Sequence, residues 1–152
     1  MKITDALLAE HAVFYSQFAE CERALLNEDL SRLQARTAMV ACALATHAAI
    51  EDDLLFRTLA ARTDVQPTIL VVMREEHDTI ESGLQEIQNT ADLSQARSLL
   101  SEVVSNARNH FAKEERVLFP LADELLSSAE QERLAESWAS TRGVYLAEAV
   151  AR

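Results

Sequence analysis

The amino-acid sequence predicts an all-α fold, an antiparallel up-down-up-down four-helix bundle with an extra C-terminal helix. Three observations predict it. Only 2 glycines and 2 prolines occur in 152 residues, too few for a turn-rich architecture. Hydrophobic residues make up 49%, enough for one core, and Ala, Leu and Glu, all good helix formers, abound. Apolar residues recur at alternating spacings of three and four between short polar breaks, as a bundle seam requires.

The first helix opens with Thr4 as its N-cap and carries Leu7, His11, Phe14, Phe18, Cys21 and Leu25 on its inner stripe. The polar run Asn27-Glu28-Asp29 ends it. The second helix runs from about Leu30 to Ala61, with Leu33, Thr37, Val40, Leu44, His47, Glu51, Leu54 and Thr58 inside. Thr63 to Gln66 breaks it, and Pro67 suits the first turn of the third helix. That helix has the stripe Leu70, Met73, His77, Ile80, Leu84 and Ile87, and Asn89 to Leu93 forms the next connection. The fourth helix covers about Ser94 to Leu126, with Leu100, Val103, Ala107, His110, Glu114, Val117 and Leu121 inside. Pro120 should bend it or end its regular part. Ser128-Ala129-Glu130-Gln131 reads as a capping box that opens a fifth helix, with Leu134, Trp138 and Tyr145 on one side. This helix covers the bundle or a neighbouring subunit, which leaves a homodimer open. The whole chain is expected to form one domain, with a core over residues 4–126 and the C-terminal helix over residues 128–150.

The formal charge of −11 and pI of about 4.7 argue against nucleic acid as a partner, because an acidic surface repels phosphate. Cys21 and Cys42 match no CxxC or zinc pattern and read as reduced thiols. The N-terminal residues turn acidic too early for a signal peptide. The longest apolar stretch, near Ala38 to Ile50, is too short for a bilayer. A soluble, cytoplasmic protein with no membrane partner is expected.

The four histidines carry the chemical signal. Two begin a His-x3-Glu pair, His47 with Glu51 and His110 with Glu114, while His11 and His77 stand without such a partner on the seam. Four residues is about one helical turn, so each pair projects from one helix face. His11 and His47 each lie about eighteen residues from the turn near Asp29, and so meet at one height in an antiparallel pair. The other distances agree to within about one turn, placing one histidine from each helix near one level. The sequence also repeats. His47-x3-Glu51-Asp52-x-Leu54-Leu55-Phe56 is similar to His110-x3-Glu114-Glu115-x-Val117-Leu118-Phe119, and Glu10-His11 is similar to Glu76-His77. The chain reads as two copies of one hairpin, an arrangement that builds a two-metal centre naturally.

A lone seam histidine is ordinarily a hydrogen-bonded core residue. Six ionisable side chains at seam positions of four helices need either a metal or a large satisfied network, since burying an unpaired carboxylate is expensive. Imidazole with carboxylate suits iron, manganese or zinc, and a thiolate zinc set is missing. HExxH, the ExxH of ferritin-like bundles and CxxCH for haem are also missing. Several neighbours stand near the six. Glu81 makes a third His-x3-Glu with His77 but sits beside the seam, so an exposed position is expected. Glu10 and Glu76, just before the lone histidines, are expected by default as solvated flanks, with partners behind the ligands or a proton path as the alternative. Asp52 and Glu115 are expected as solvated flanks, and Tyr15 as packing with a wet hydroxyl.

The pattern His…HisxxxGlu…His…HisxxxGlu, carried by His11, His47, Glu51, His77, His110 and Glu114, resembles the hemerythrin-like, HHE cation-binding family. The Leu-Phe after each HisxxxGlu and Pro120 after the second are similar to it too. The resemblance covers residues 4–126 and implies a non-haem di-iron centre, oxo- or hydroxo-bridged, inside the bundle. It implies that Glu51 and Glu114 bridge two iron ions, with His11 and His47 on one and His77 and His110 on the other. Oxygen carriers of the family have a fifth histidine one turn before the position of His77, and here that residue is Met73. Thioether is a poor match for ferric iron, so a more open and symmetric centre is expected.

The resemblance implies a protein that binds or senses a small diatomic ligand, oxygen or nitric oxide, in stress response. Its alternative is an enzyme acting on peroxide or nitric oxide, or an iron donor or store for iron–sulfur repair. The chain starts directly in its first helix, without a cysteine-bearing or signalling extension, which lowers the repair and chemotaxis readings.

Overall fold

The computed structural model describes residues 1–62 and 65–145. Five helices form, and no strand occurs among the described residues. We label them α1 (Ile3–Asn27), α2 (residues 30–60), α3 (Pro67–Asn89), α4 (residues 93–125) and α5 (Ser128–Arg142). Links of a few residues join α1 to α2 and α3 to α4, which makes each pair an antiparallel hairpin. In the bundle α1 packs on α2 and α4, α3 packs on the same two, and α5 lies across α1.

The helix ends follow local chemistry. Asp29 caps α2 by accepting from the Arg32 backbone at 2.9 Å, and Asp92 caps α4 by accepting from Ser94 at 2.7 Å. Thr4 is not the cap expected of it. The helix starts at Ile3, the Lys2 backbone donates to Asp5, and the Thr4 hydroxyl donates to Asp123 at 2.8 Å. The capping box of α5 sits one residue earlier than expected, on Ser127 with Glu130 at its third position. Gln131 is thereby freed to turn inward, where it donates to Asp123 at 2.9 Å. The same helix ends sooner than expected. Gly143, at φ 65°, stops it in the left-handed conformation, with the Val144 amide donating back to Ala139. Tyr145 therefore lies beyond the helix, fully exposed. The expected helix over 146–150 and the break at Thr63 lie outside the described residues.

One departure from the expected seam matters for the site. Both long helices contain a π-helical stretch that begins on the glutamate of the His-x3-Glu pair, Glu51–Phe56 in α2 and Glu114–Leu118 in α4. The Arg57 amide bonds to Asp52 and the Phe119 amide to Glu114, five residues back instead of four. Each stretch shifts the seam by one residue. Leu55 and Leu59 are buried in place of Leu54 and Thr58, which are half-buried. Leu118 and Ala122 are buried in place of Val117, which is exposed, and Leu121. Pro120 follows the second stretch without ending the helix, which continues to Leu125.

Two apolar clusters result, on either side of the histidine level. One contains Phe14, Phe18, Leu33, Leu84, Leu100 and Phe111. The other contains Ile3, Leu7, Phe56, Leu59, Leu70 and Phe119. Met73 belongs to the second. Gly83 lets α3 and α4 approach closely, since a Cβ there would lie 2.5 Å from Val103 Cγ2. Cys21 is buried and Cys42 exposed, and both are free thiols.

Candidate metal centre

The layer between the two clusters is polar. His11, His47, Glu51, His110 and Glu114 are each 1% exposed or less, and the side chain of His77 is 11% exposed. Every one of the six histidine and glutamate side chains named from the sequence lies in this layer. They form two groups that could each hold a metal ion, His11, His47, Glu51 and Glu114 in one, and Glu51, His77, His110 and Glu114 in the other. Both glutamates belong to both groups. His11 Nε2 and His47 Nε2 face each other at 3.2 Å. Glu51 offers Oε1 to His47 Nε2 at 3.2 Å and Oε2 to His77 Nε2 at 3.4 Å. Glu114 offers Oε2 to His11 Nε2 at 3.4 Å and Oε1 to His110 Nε2 at 3.3 Å. Each carboxylate thus turns one oxygen to each group.

The donors fit a pair of cations. All four carboxylate oxygens of Glu51 and Glu114 are buried without a hydrogen-bond donor, as are His77 Nε2 and His110 Nε2. Burying an unsatisfied polar group costs roughly 2–7 kcal/mol, and a lone carboxylate more, so folded proteins rarely tolerate such a layer. Cations between the groups would remove that cost. In the metal-free chain, protons take part of this role. Burial would push His11 down, but the carboxylates of Glu114 and Glu51 outweigh it and push it up to about 9. His47 is pushed up to about 10, against burial, by Glu51 and Glu10. His110 is also raised despite burial, chiefly by Glu114. Glu51, although buried, is held well below the usual carboxylate range by His47 and its neighbours.

The outward nitrogens of three of the four histidines are held by carboxylates whose default placement is solvent. Glu10 accepts from His47 Nδ1 at 2.6 Å, and Glu76 pairs with His110 Nδ1 at 3.0 Å. Glu115 pairs with His11 Nδ1 at 3.0 Å, while Asp52 lies 3.9 Å from His77 Nδ1. Glu10, Glu76 and Glu115 fix ring orientation, as carboxylates behind ligand histidines do, while Asp52 is too far to do so. Their signal was present in the sequence. Each stands immediately before a lone histidine or immediately after a pair glutamate, in both copies of the repeat. Tyr15 is likewise no wet surface hydroxyl but donates to Glu115 at 3.0 Å. Burial and the Glu115 carboxylate push that hydroxyl up to about 12, so it remains a donor. Glu81 is exposed, as expected.

Trp138 and Arg142 on α5 had no assigned role. Trp138 Nε1 donates to Glu10 Oε1 at 2.7 Å, and Arg142 donates to both oxygens of Glu10, at 2.7 and 2.9 Å. Burial would raise Glu10, but its bonds to His47, Arg142 and Trp138 outweigh it and hold it at about 2. No sequence spacing could have linked Glu10 to residues at the far end of the chain.

Aromatic rings close the layer. Phe111 stacks on His11 with centroids 3.8 Å apart and planes 8° from parallel. Phe119 lies 5.4 Å from His11, and its counterpart in the repeat, Phe56, lies 5.8 Å from His77. No helix among the described residues is long and apolar enough to cross a membrane.

Comparison with known proteins agrees with this geometry. A sequence model of the hemerythrin HHE cation binding domain matches residues 2–122 and, in a second overlapping match, residues 68–140. No curated protein and no solved structure matches the chain. With four helices converging two histidine pairs on two shared glutamates, and a family match over most of its length, the chain belongs to the hemerythrin HHE cation-binding domain family.

Proposed function

We propose that this protein holds two iron ions in a non-haem di-iron centre and takes up a small diatomic ligand, oxygen or nitric oxide, in sensing or protection. One observation carries the reading: four buried, donor-free carboxylate oxygens face two pairs of imidazoles. His11 and His47 would hold one ion, His77 and His110 the other, and Glu51 and Glu114 would be shared. Imidazole with carboxylate is a donor set for iron, and no cysteine stands in either group. Iron bound there supplies redox chemistry and affinity for diatomic ligands.

The chain's own residues do the rest. Phe111 and Phe119 cover His11, and Phe56 covers one face of His77. Glu10, Glu76 and Glu115 orient the rings and accept the Nδ1 protons. A second reading is an enzyme acting on peroxide or nitric oxide. What favours it is a cavity of about 220 Å³ lined by His47, His77 and His110, roomier than a diatomic requires.

The test is an iron-to-protein ratio on cleanly purified chain together with an optical spectrum. Two irons per chain and near-ultraviolet charge-transfer bands are expected. Protein without iron, or with a single ion, overturns the reading. Ligand titration of the reduced protein, beside steady-state assays with peroxide and nitric oxide, then separates binder from enzyme.

A further inference from the structure

The two candidate metal positions differ in their access to solvent. The cavity of about 220 Å³ lies between α2 and α3. Its α2 wall is made by Ala41, Ala45, Ala48 and Ala49, whose small side chains leave the gap open. Its inner end is formed by His47, His77 and His110, that is by both histidines of the second group and one of the first. His110 Nδ1 is engaged by Glu76, and its Nε2 is unpartnered although the side chain is only 1% exposed. His77 has no hydrogen bond at either nitrogen and is the most exposed of the six donors. His11 does not line the cavity and lies under Phe111.

The outer end is anionic. Asp52, Asp78 and Glu81 line it, and no Lys or Arg does. Asp52 is tied to Arg74 at 2.7 Å, whereas Asp78 and Glu81 have no ion pair among the described residues. Carboxylates around a low-dielectric cleft concentrate cations at its mouth and speed their arrival. A neutral diatomic ligand gains nothing from such a rim. We infer that this cavity is the route by which a divalent metal cation reaches and leaves the His77–His110 position, with Asp52, Asp78 and Glu81 drawing it in. The inference rests on the two-metal reading above. It assigns Ala45, Asp78 and Glu81 to metal traffic instead of to ligation.

Stopped-flow loading of the metal-free full chain with Co²⁺, followed by visible absorption at low ionic strength, tests this. The double variant Asp78→Asn/Glu81→Gln should load about tenfold more slowly and lose most of the salt dependence of the rate, while still reaching two ions per chain. Ala45→Leu, which narrows the cavity, should slow both Co²⁺ uptake and its removal by a chelator. Glu136→Gln, on the exposed face of α5, should load like the unmodified chain. Both Asp78 and Glu81 are exposed, so the double variant keeps the core intact, and circular dichroism verifies the fold of Ala45→Leu. Two ions per chain with unchanged loading rates in both variants overturns the route and leaves the two-metal reading standing. Failure of the unmodified chain to take two ions overturns both.

Discussion

The two hairpins present equivalent residues to the centre but hold them unequally. In the α1–α2 half, His11 lies away from the cavity and His47 is 1% exposed, and both outer nitrogens make hydrogen bonds, at 3.0 and 2.6 Å. The carboxylate behind His47 is itself clamped by Trp138 and Arg142. In the α3–α4 half, Glu76 behind His110 is held by the exposed Lys113, and Asp52 lies 3.9 Å from His77 Nδ1, too far for a hydrogen bond. The repeat explains the last difference. Asp52 and Glu115 occupy matching places, and aspartate is one methylene shorter than glutamate. Glu115 reaches His11, and Asp52 does not reach His77. Duplication set the positions, while one side-chain length and a fifth helix decided how firmly each position is held.

The comparison can be broken first at the residues both halves share. Glu114→Ala should lose at least one of two ions per chain by metal analysis, and unchanged two-ion loading would sink the assignment of a shared carboxylate. Next in size is Arg142→Ala, which unclamps Glu10 without touching the α3–α4 half. Metal affinity at the His11–His47 position should fall by about tenfold, the lower range for loss of an outer-shell partner, as read by chelator competition. Equal weakening of both positions would show that α5 supports the bundle generally.

A pH series on the metal-free chain separates the halves further. His11 and His47, at about 9 and about 10, stand above the ordinary histidine value of 6.5. A group raised by folding adds stability that is complete below its unfolded value and disappears as pH rises through its folded value. Urea midpoints should therefore fall from about pH 7 to about pH 10 in the metal-free chain. Glu10→Gln, by removing one carboxylate beside His47, should make that fall smaller and end it at lower pH. A flat profile would mean that the layer is not protonated without metal. The smallest effect is expected of Asp52→Glu. Adding the missing methylene should let residue 52 reach His77 and slow metal release from that position by about a few-fold, below the usual tenfold or more for an outer-shell partner. No change in release would mean that Arg74, bonded to Asp52 at 2.7 Å, holds the carboxylate away whatever its length.

Much of the centre was legible because helix periodicity converts spacing into facing. His47 with Glu51 and His110 with Glu114 project together on any α-helix, and turn-to-residue distances set the four histidines at one level. The π-helical stretches were not legible. Their one-residue insertion begins on Glu51 and Glu114 and leaves no compositional mark, so Leu54, Thr58, Val117 and Leu121 were placed inside where Leu55, Leu59, Leu118 and Ala122 belong. The outer carboxylates are visible in the sequence, but a charged residue beside a seam is ordinarily solvated, so spacing alone does not place them behind the histidines.

By itself, then, the sequence determined the helical class, the two-hairpin repeat and the six inward donors, since all of these depend on residue type and on contacts within one or two helical turns. Only the tertiary structure decided which carboxylate backs which histidine, that Arg142 and Trp138 grip Glu10, and that an acid-rimmed cavity opens onto His47, His77 and His110 and not onto His11. Those features join residues as much as 132 positions apart. They are set by how helices pack and by the reach of single side chains, and neither is written in local spacing.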